Sequence, residues 1–212
     1  MSHNFEVVNS ELLLDAPILA VRRDRVTMPG DTQADREVVE HLGAVAIAAV
    51  DDGGRVAMVG QYRHSVARRL WELPAGLLDL KGEEPLAAAQ RELCEEAGLA
   101  ASDWGVLADI VTSPGYSEEA CRIFLARDLS EVERPEAFGD EEADMDFAWV
   151  DLDDATQRIF AGDITNSIAV SGIFAARDAL REQRELRDPE SEFELRPQRI
   201  AKRRQGPDLK KQ

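Results

Sequence analysis

Only two cysteines, Cys94 and Cys121, occur among the 212 residues, and they make no metal-binding or redox spacing. That excludes a disulfide scaffold and leaves a cytoplasmic protein with free thiols as the expectation. No apolar run approaches the roughly 18 residues of a membrane span. The opening stretch MSHNFEVVNSELLLDAP lacks a basic start followed by an apolar segment, so neither a signal peptide nor a membrane partner is expected. Positive charge is scarce: 25 Lys and Arg stand against 42 Asp and Glu, for a net charge of −17. So acidic a chain argues against nucleic acid as a main partner. A substrate carrying phosphates would not be drawn by the overall field, and bound cations would have to reverse its sign locally.

The hydrophobic content of 44% is that of an ordinary globule, and 212 residues suit one domain with an extension. Residues 43–181 read as the core domain. Val45 to Val50 is an uninterrupted apolar run, expected as a buried strand. The Asp51-Asp52-Gly53-Gly54 turn should return the chain into a partner strand, Val56–Tyr62. Further strands are expected at Leu70–Leu73, Val106–Val111, Cys121–Ala126 and Phe147–Val150. Helices are expected at about 85–97, 153–160 and 167–180, the last with Ile168, Ile173, Phe174 and Leu180 near helical spacing. Strands interleaved with helices predict an α/β class with a mixed sheet between helices. Residues 1–42 read as two extended segments, Phe5–Leu14 and Ile18–Thr27. Residues 182–212 mix charges with Pro189, Pro197 and Pro207, and read as a mobile tail. Its end is basic, with seven Lys or Arg against Asp208 alone between Arg196 and Lys211. A solvated tail is the simpler reading; contact with RNA or an acidic partner is the other.

The helix at 85–97 carries the chemistry. Pro85 suits its first turn and Gly98 the residue past its end. Glu92, Glu95 and Glu96 stand three and four apart and share one face. Like charges this close repel unless something positive sits among them. Hard divalent ions take oxygen ligands, and a Mg²⁺ site that also holds phosphate needs only one or two protein carboxylates. For the three glutamates alone a solvated acidic face would be the simpler reading. Their flanks change it. Gly76, Glu83, Arg91, Glu92, Leu93, Glu95, Glu96, Gly98 and Leu99 resemble the Nudix box, G-x5-E-x7-R-E-U-x-E-E-x-G-U with U aliphatic. One departure stands out: six residues, not five, separate Gly76 from Glu83.

The resemblance implies a Nudix fold, an α/β/α sandwich, over about residues 43–165, and hydrolysis of a nucleoside diphosphate linked to another group. Outside the box, Pro114, sixteen residues after Gly98, resembles the mark of the ADP-ribose pyrophosphatase subfamily. Gln61-Tyr62-Arg63, Trp71 to Gly76 and Arg36-Glu37-Val38 resemble further segments of its actinobacterial type. This implies Mg²⁺-dependent cleavage of ADP-ribose to AMP and ribose 5-phosphate, with two or three ions per site and Mn²⁺ as the alternative ion. Another nucleoside diphosphate sugar is the alternative substrate. A ligand-sensing module without catalysis is a third reading; it would go with a damaged glutamate cluster, and here the cluster is intact.

Carried over by the resemblance, Glu92, Glu96 and Glu95 would be metal ligands together with the carbonyl of Ala75, with Glu95 also counted among the catalytic residues. Gly76, Glu83, Arg91 and Gly98 would be structural, Arg91 by pairing with a neighbouring glutamate. The general base would come from the acidic stretch 138–144, with Glu142 the choice and Glu141 second; an acidic surface loop is the plain alternative. Glu118 would lie near the terminal ribose, and Arg63 would meet phosphate or form a strand-end salt bridge. The N-terminal strands would cross to a second subunit, with Arg36 reaching the adenosine end of the partner's site in a homodimer. His41 and His64 read as ordinary histidines, and Met58, Trp71 and Phe124 as core.

Overall fold

The computed structural model describes residues 3–135 and 144–210. The first strand of the core, β4 (Ala44–Ala49), is buried along its whole length, and its alternation explains the layering. Ala44, Ala46 and Ala48 pack with Ile173 and Ala176, whereas Val45, Ile47 and Ala49 pack with Ala88, Ala89 and Leu93. Successive side chains of a strand point to opposite faces. A strand apolar at every position therefore needs cover on both sides.

That cover comes from α1 (Pro85–Ala97) on one face and α3 (Ser167–Arg181) on the other. Four strands form the main sheet: β4, β7 (Ala75–Leu77), β8 (Leu99–Val111) and β9 (Ala120–Glu131), in the order β7-β4-β9-β8. β4 and β9 run parallel and the other pairs antiparallel, so the sheet is mixed. A second sheet, order β10-β5-β6, joins β5 (Arg55–Arg63), β6 (Arg68–Glu72) and β10 (Asp146–Asp151). Helix α2 (Leu152–Ala161) follows β10, capped by Asp151, whose carboxylate accepts from the amides of Asp153 and Asp154. The α/β/α expectation holds. Among the described residues no helix is long and apolar enough to cross a membrane.

Two expectations need correction. The turn at 51–54 is present, but β5 is not the partner of β4. The two meet only at the bridge Val50–Val56, and β4 spends its edges on β7 and β9. The strand expected at Leu70–Leu73 is present as β6, which stops before Pro74. After β6 the chain turns at Pro74, whose carbonyl accepts from the Ile47 amide at 2.8 Å, and enters the other sheet as β7. The second correction concerns the C-terminal segment, which is not a mobile tail. Val106 and Arg187 form a β-bridge, and Arg122, 0% exposed, bonds Asp109 and the carbonyls of Ser191 and Glu192 and lies 4.7 Å from the Phe193 ring centroid. Ile200, in α4 (Arg199–Arg203), and Leu209 beyond it are buried against Ala20 and Leu42. Average composition hid this, because three apolar anchors suffice when buried arginines bond the backbone carbonyls.

The N-terminal residues form a separate antiparallel sheet of β1 (Val7–Asp15), β2 (Leu19–Met28) and β3 (Thr32–His41). β3 was not expected as a strand. Its charges are matched across the ladder, Glu37 to Arg23 at 2.8 Å and Asp35 to Arg25 at 2.9 Å, and such cross-strand pairs support a strand that has little apolar patterning.

Candidate active site

Helix α1 begins at Pro85 and ends at Gly98, which takes φ 65° and turns its amide back to the carbonyls of Cys94 and Leu93. That left-handed backbone suits glycine. Pro85, Ala88, Ala89 and Leu93 face the core. This turns Glu92 and Glu96 towards Ala75 and Gly76 of β7. Gly76 on that strand is required by contact rather than by backbone angle. A Cβ added there would lie 2.0 Å from both Cδ and Oε1 of Glu92. The Ala75 amide next to it donates to Glu96 Oε2 at 2.9 Å.

The positive charge demanded by three adjacent glutamates is Arg91. Its guanidinium holds Glu83 through two bonds, at 3.0 and 3.1 Å, and reaches Glu92 at 2.6 Å and Glu95 at 3.0 Å. Asp79, buried in the loop before the helix, lies 3.8 Å from the same guanidinium. One arginine does not neutralise this many carboxylates. Burial pushes the Glu92 carboxyl up to about 7 and the Glu96 carboxyl to about 8, although bonds from Arg91 and from the Ala75 amide respectively oppose it. Carboxyls so raised take up a cation readily, because binding replaces the proton that burial favours.

Among the described residues no group of three or more His, Cys, Asp or Glu is arranged to hold a metal ion by itself. Glu92 and Glu95 are turned to Arg91 instead, and Glu96 to the Ala75 amide. The residues nonetheless fit a hard divalent ion shared with phosphate. Two desolvated carboxylates meet at a strand whose missing Cβ leaves them room, and such ions need no closed protein cage.

Beside β7 opens a cleft of about 590 Å³, lined by Ala75, Gly76, Arg63, Glu72, Ser113 and Ser167 among others. Ala75 and Gly76 are the residues that touch Glu96 and Glu92, so the cleft and the glutamate helix share one wall. Arg63 lies on the cleft bound to Glu72 through two bonds, at 2.9 and 2.6 Å. Its charge also reaches Glu96. Glu118 sits at the seam with the N-terminal sheet. Arg22 holds one of its oxygens at 3.1 Å, while Oε1 is buried without a hydrogen bond. Arg36 is exposed on β3, and its bonds go to the Asp35 carbonyl and the Met28 sulfur in its own sheet; a single chain does not bring it to the cleft. Glu141 and Glu142 lie outside the described residues.

Sequence reasoning missed Asp79, Glu72 and Glu119. Glu119 stands 3.8 Å from His41 across the cleft wall, and burial lowers the His41 pKa. Asp79 alone carried a signal, its place in the lengthened loop.

A glutamate helix packed on a mixed sheet beside a cleft of about 590 Å³ is the frame of the Nudix hydrolases, which generally use divalent metals. The chain belongs to the Nudix family: the NUDIX domain model matches residues 40–168. The model of the nucleoside diphosphate sugar hydrolase N-terminal domain matches residues 5–39, the three-stranded sheet. The chain is 51% identical over 202 residues to a protein named ADP-ribose pyrophosphatase from Mycobacterium tuberculosis, covering 95% of this chain and 97% of the relative. It is 33% identical over 181 residues to one of the same name from Bacillus subtilis, covering 84% and 97%. A solved structure described as an ADP compounds hydrolase superposes with a TM-score of 0.74 at 22% identity, over 85% of this chain and 96% of that one, a likeness of fold.

Proposed function

We propose that this protein hydrolyses the diphosphate of ADP-ribose, giving AMP and ribose 5-phosphate, with Mg²⁺ as cofactor, two or three ions per site. The observation that carries the reading is the 51% identity over nearly the whole length to a protein named ADP-ribose pyrophosphatase, joined to the Gly76–Glu92 contact that makes room for a carboxylate beside the cleft. When bound, divalent ions would supply positive charge to the diphosphate oxygens and acidify the attacking water. Glu92 and Glu96 would hold them, with Glu95 and the Ala75 carbonyl completing the set. Arg91 keeps Glu92 and Glu95 in place. A water oxygen attacks one phosphorus, the bridging P–O bond breaks, and Glu142 takes the water's proton, with Glu141 the second choice. Arg63 and Glu118 serve the phosphate and the terminal ribose.

The assembly in this reading is a homodimer in which Arg36 completes the partner's site. β1 supports it, since Val7, Val8, Leu12, Leu13 and Leu14 are all exposed in the single chain. Both cysteines are free, which suits a cytoplasmic setting. A second reading, another nucleoside diphosphate sugar as substrate, is favoured by the family matched at residues 5–39.

The test is incubation with ADP-ribose and Mg²⁺, with chromatography for AMP. AMP formed with a kcat/KM above those for ADP-glucose, GDP-mannose and NADH supports the proposal. A higher value for another sugar selects the second reading, and no cleavage of any overturns both.

A further inference from the structure

The lengthened loop between Gly76 and Glu83 and the C-terminal segment are bonded into one unit. Leu80 and Asp208 form an antiparallel β-bridge. The Lys81 amide donates to the Pro207 carbonyl at 2.8 Å, and the Leu209 amide to the Asp79 carbonyl at 2.7 Å. Lys210 Nζ then reaches Asp79 Oδ2 at 2.5 Å, while Oδ1 of the same carboxylate faces Arg91 at 3.8 Å. The segment is itself anchored. Arg204, with its side chain 3% exposed, donates to the Leu209 carbonyl at 2.8 Å and to Asp15 at 2.6 Å, and also bonds the carbonyls of Ala16 and Pro17. Leu209 is 1% exposed.

Asp79 is thus held between two cations with different duties. Arg91 is already committed to Glu83, Glu92 and Glu95. Without Lys210, Arg91 would be the one cation among the described residues still paired with the buried Asp79 carboxylate, and an unpaired buried charge draws its nearest partner strongly. Moving Arg91 towards Asp79 takes it from Glu92 and Glu95.

We propose that the C-terminal strap, through Lys210, is a positioning element of the active site: it clamps the lengthened loop and occupies Asp79, so that Arg91 stays with the glutamates. Lys210 and Asp79 are positioning residues that act through Arg91. The proposal rests on the Nudix reading of the glutamate helix, though not on the identity of the sugar.

The sign of one measurement separates positioning from charge alone. Removing a cation beside an acidic cluster should tighten metal binding if charge is all that matters. If Lys210 positions Arg91, binding should weaken instead. The experiment takes the full chain, with Lys210→Gln, Lys210→Arg and Leu209→Ala, the last loosening the strap without altering its charge. Mn²⁺ affinity without substrate, amide exchange at Lys81, and kcat and KM for ADP-ribose are measured for each. Lys210→Gln and Leu209→Ala are expected to weaken Mn²⁺ binding and lower kcat about tenfold, to speed exchange at Lys81, and to leave KM nearly unchanged. Lys210→Arg should restore all three. Unchanged or tighter Mn²⁺ binding in Lys210→Gln overturns the proposal, as does a loss that Lys210→Arg fails to repair. If the unaltered chain leaves ADP-ribose intact, the substrate reading falls while the Mn²⁺ and exchange measurements still decide the role of the strap.

Discussion

Gly76 and Glu92 share one small volume: the space that a β-carbon on Gly76 would fill is taken by the Glu92 carboxylate, 2.0 Å from that position. The two residues stand on different elements, β7 and α1, so the contact sets how closely the helix lies on the sheet edge. It also decides where a carboxylate meets the cleft.

Gly76→Ala should therefore harm function more than folding. The clash is with the far end of a flexible side chain, which can swing away at small cost. In swinging, Glu92 leaves its place. We expect kcat to fall about 10- to 100-fold with little change in Tm. An active Gly76→Ala enzyme would remove the argument for this carboxylate.

Glu92→Gln and Glu96→Gln keep shape and remove charge. Each should abolish turnover while circular dichroism shows the fold intact. Because both carboxyls are raised by burial, neutral replacements should also raise the Tm of the metal-free protein at high pH. Full activity of the double variant would sink the assignment.

The pH dependence has a definite sign. The folded values near 7 for Glu92 and 8 for Glu96 lie above the ordinary 4.5, so the folded chain keeps protons that the unfolded chain has released. Stability from these groups is present below about pH 4.5 and is lost as pH rises through 7 to 8, where metal-free protein should soften. Metal binding competes with those protons and should tighten over the same range, with proton release. Calorimetry in two buffers of different ionisation enthalpy measures that release; equal heats in both would contradict it.

Glu142→Gln should slow kcat far more than it raises KM, with Glu141→Gln as the comparison. If Glu141→Gln proves the slower enzyme, the base is the neighbour.

Phe193→Ala tests the packed C-terminal segment. Phe193 is 8% exposed beneath the Arg122 guanidinium, and removing a buried phenylalanine costs about 3–5 kcal/mol. A denaturation midpoint equal to that of the unaltered protein would mean a segment that packs on nothing.

The chemistry was legible in the chain because the glutamate spacing is local. Residues three and four apart on a helix meet whatever the rest of the protein does, and Pro85 and Gly98 marked where that helix starts and stops. The layered α/β/α core was legible for a similar reason, since a strand apolar at every position requires helices on both faces. The partner of β5 was not legible. A turn says that the chain reverses; it does not say which edges β4 will offer, and those went to β7 and β9.

By itself the sequence determined the helix, its carboxylate face, the arginine among the glutamates and the buried strand beneath, all matters of spacing along one element. Only the tertiary structure decided that Gly76 yields its space to Glu92, that Asp79 lies between Arg91 and Lys210, and that residues 182–210 close over the body. Those contacts join segments far apart in the chain, and their energies come from burial and from the pairing of buried charge. Neither can be read from composition, because a charged residue with fixed partners looks in sequence like one left in water.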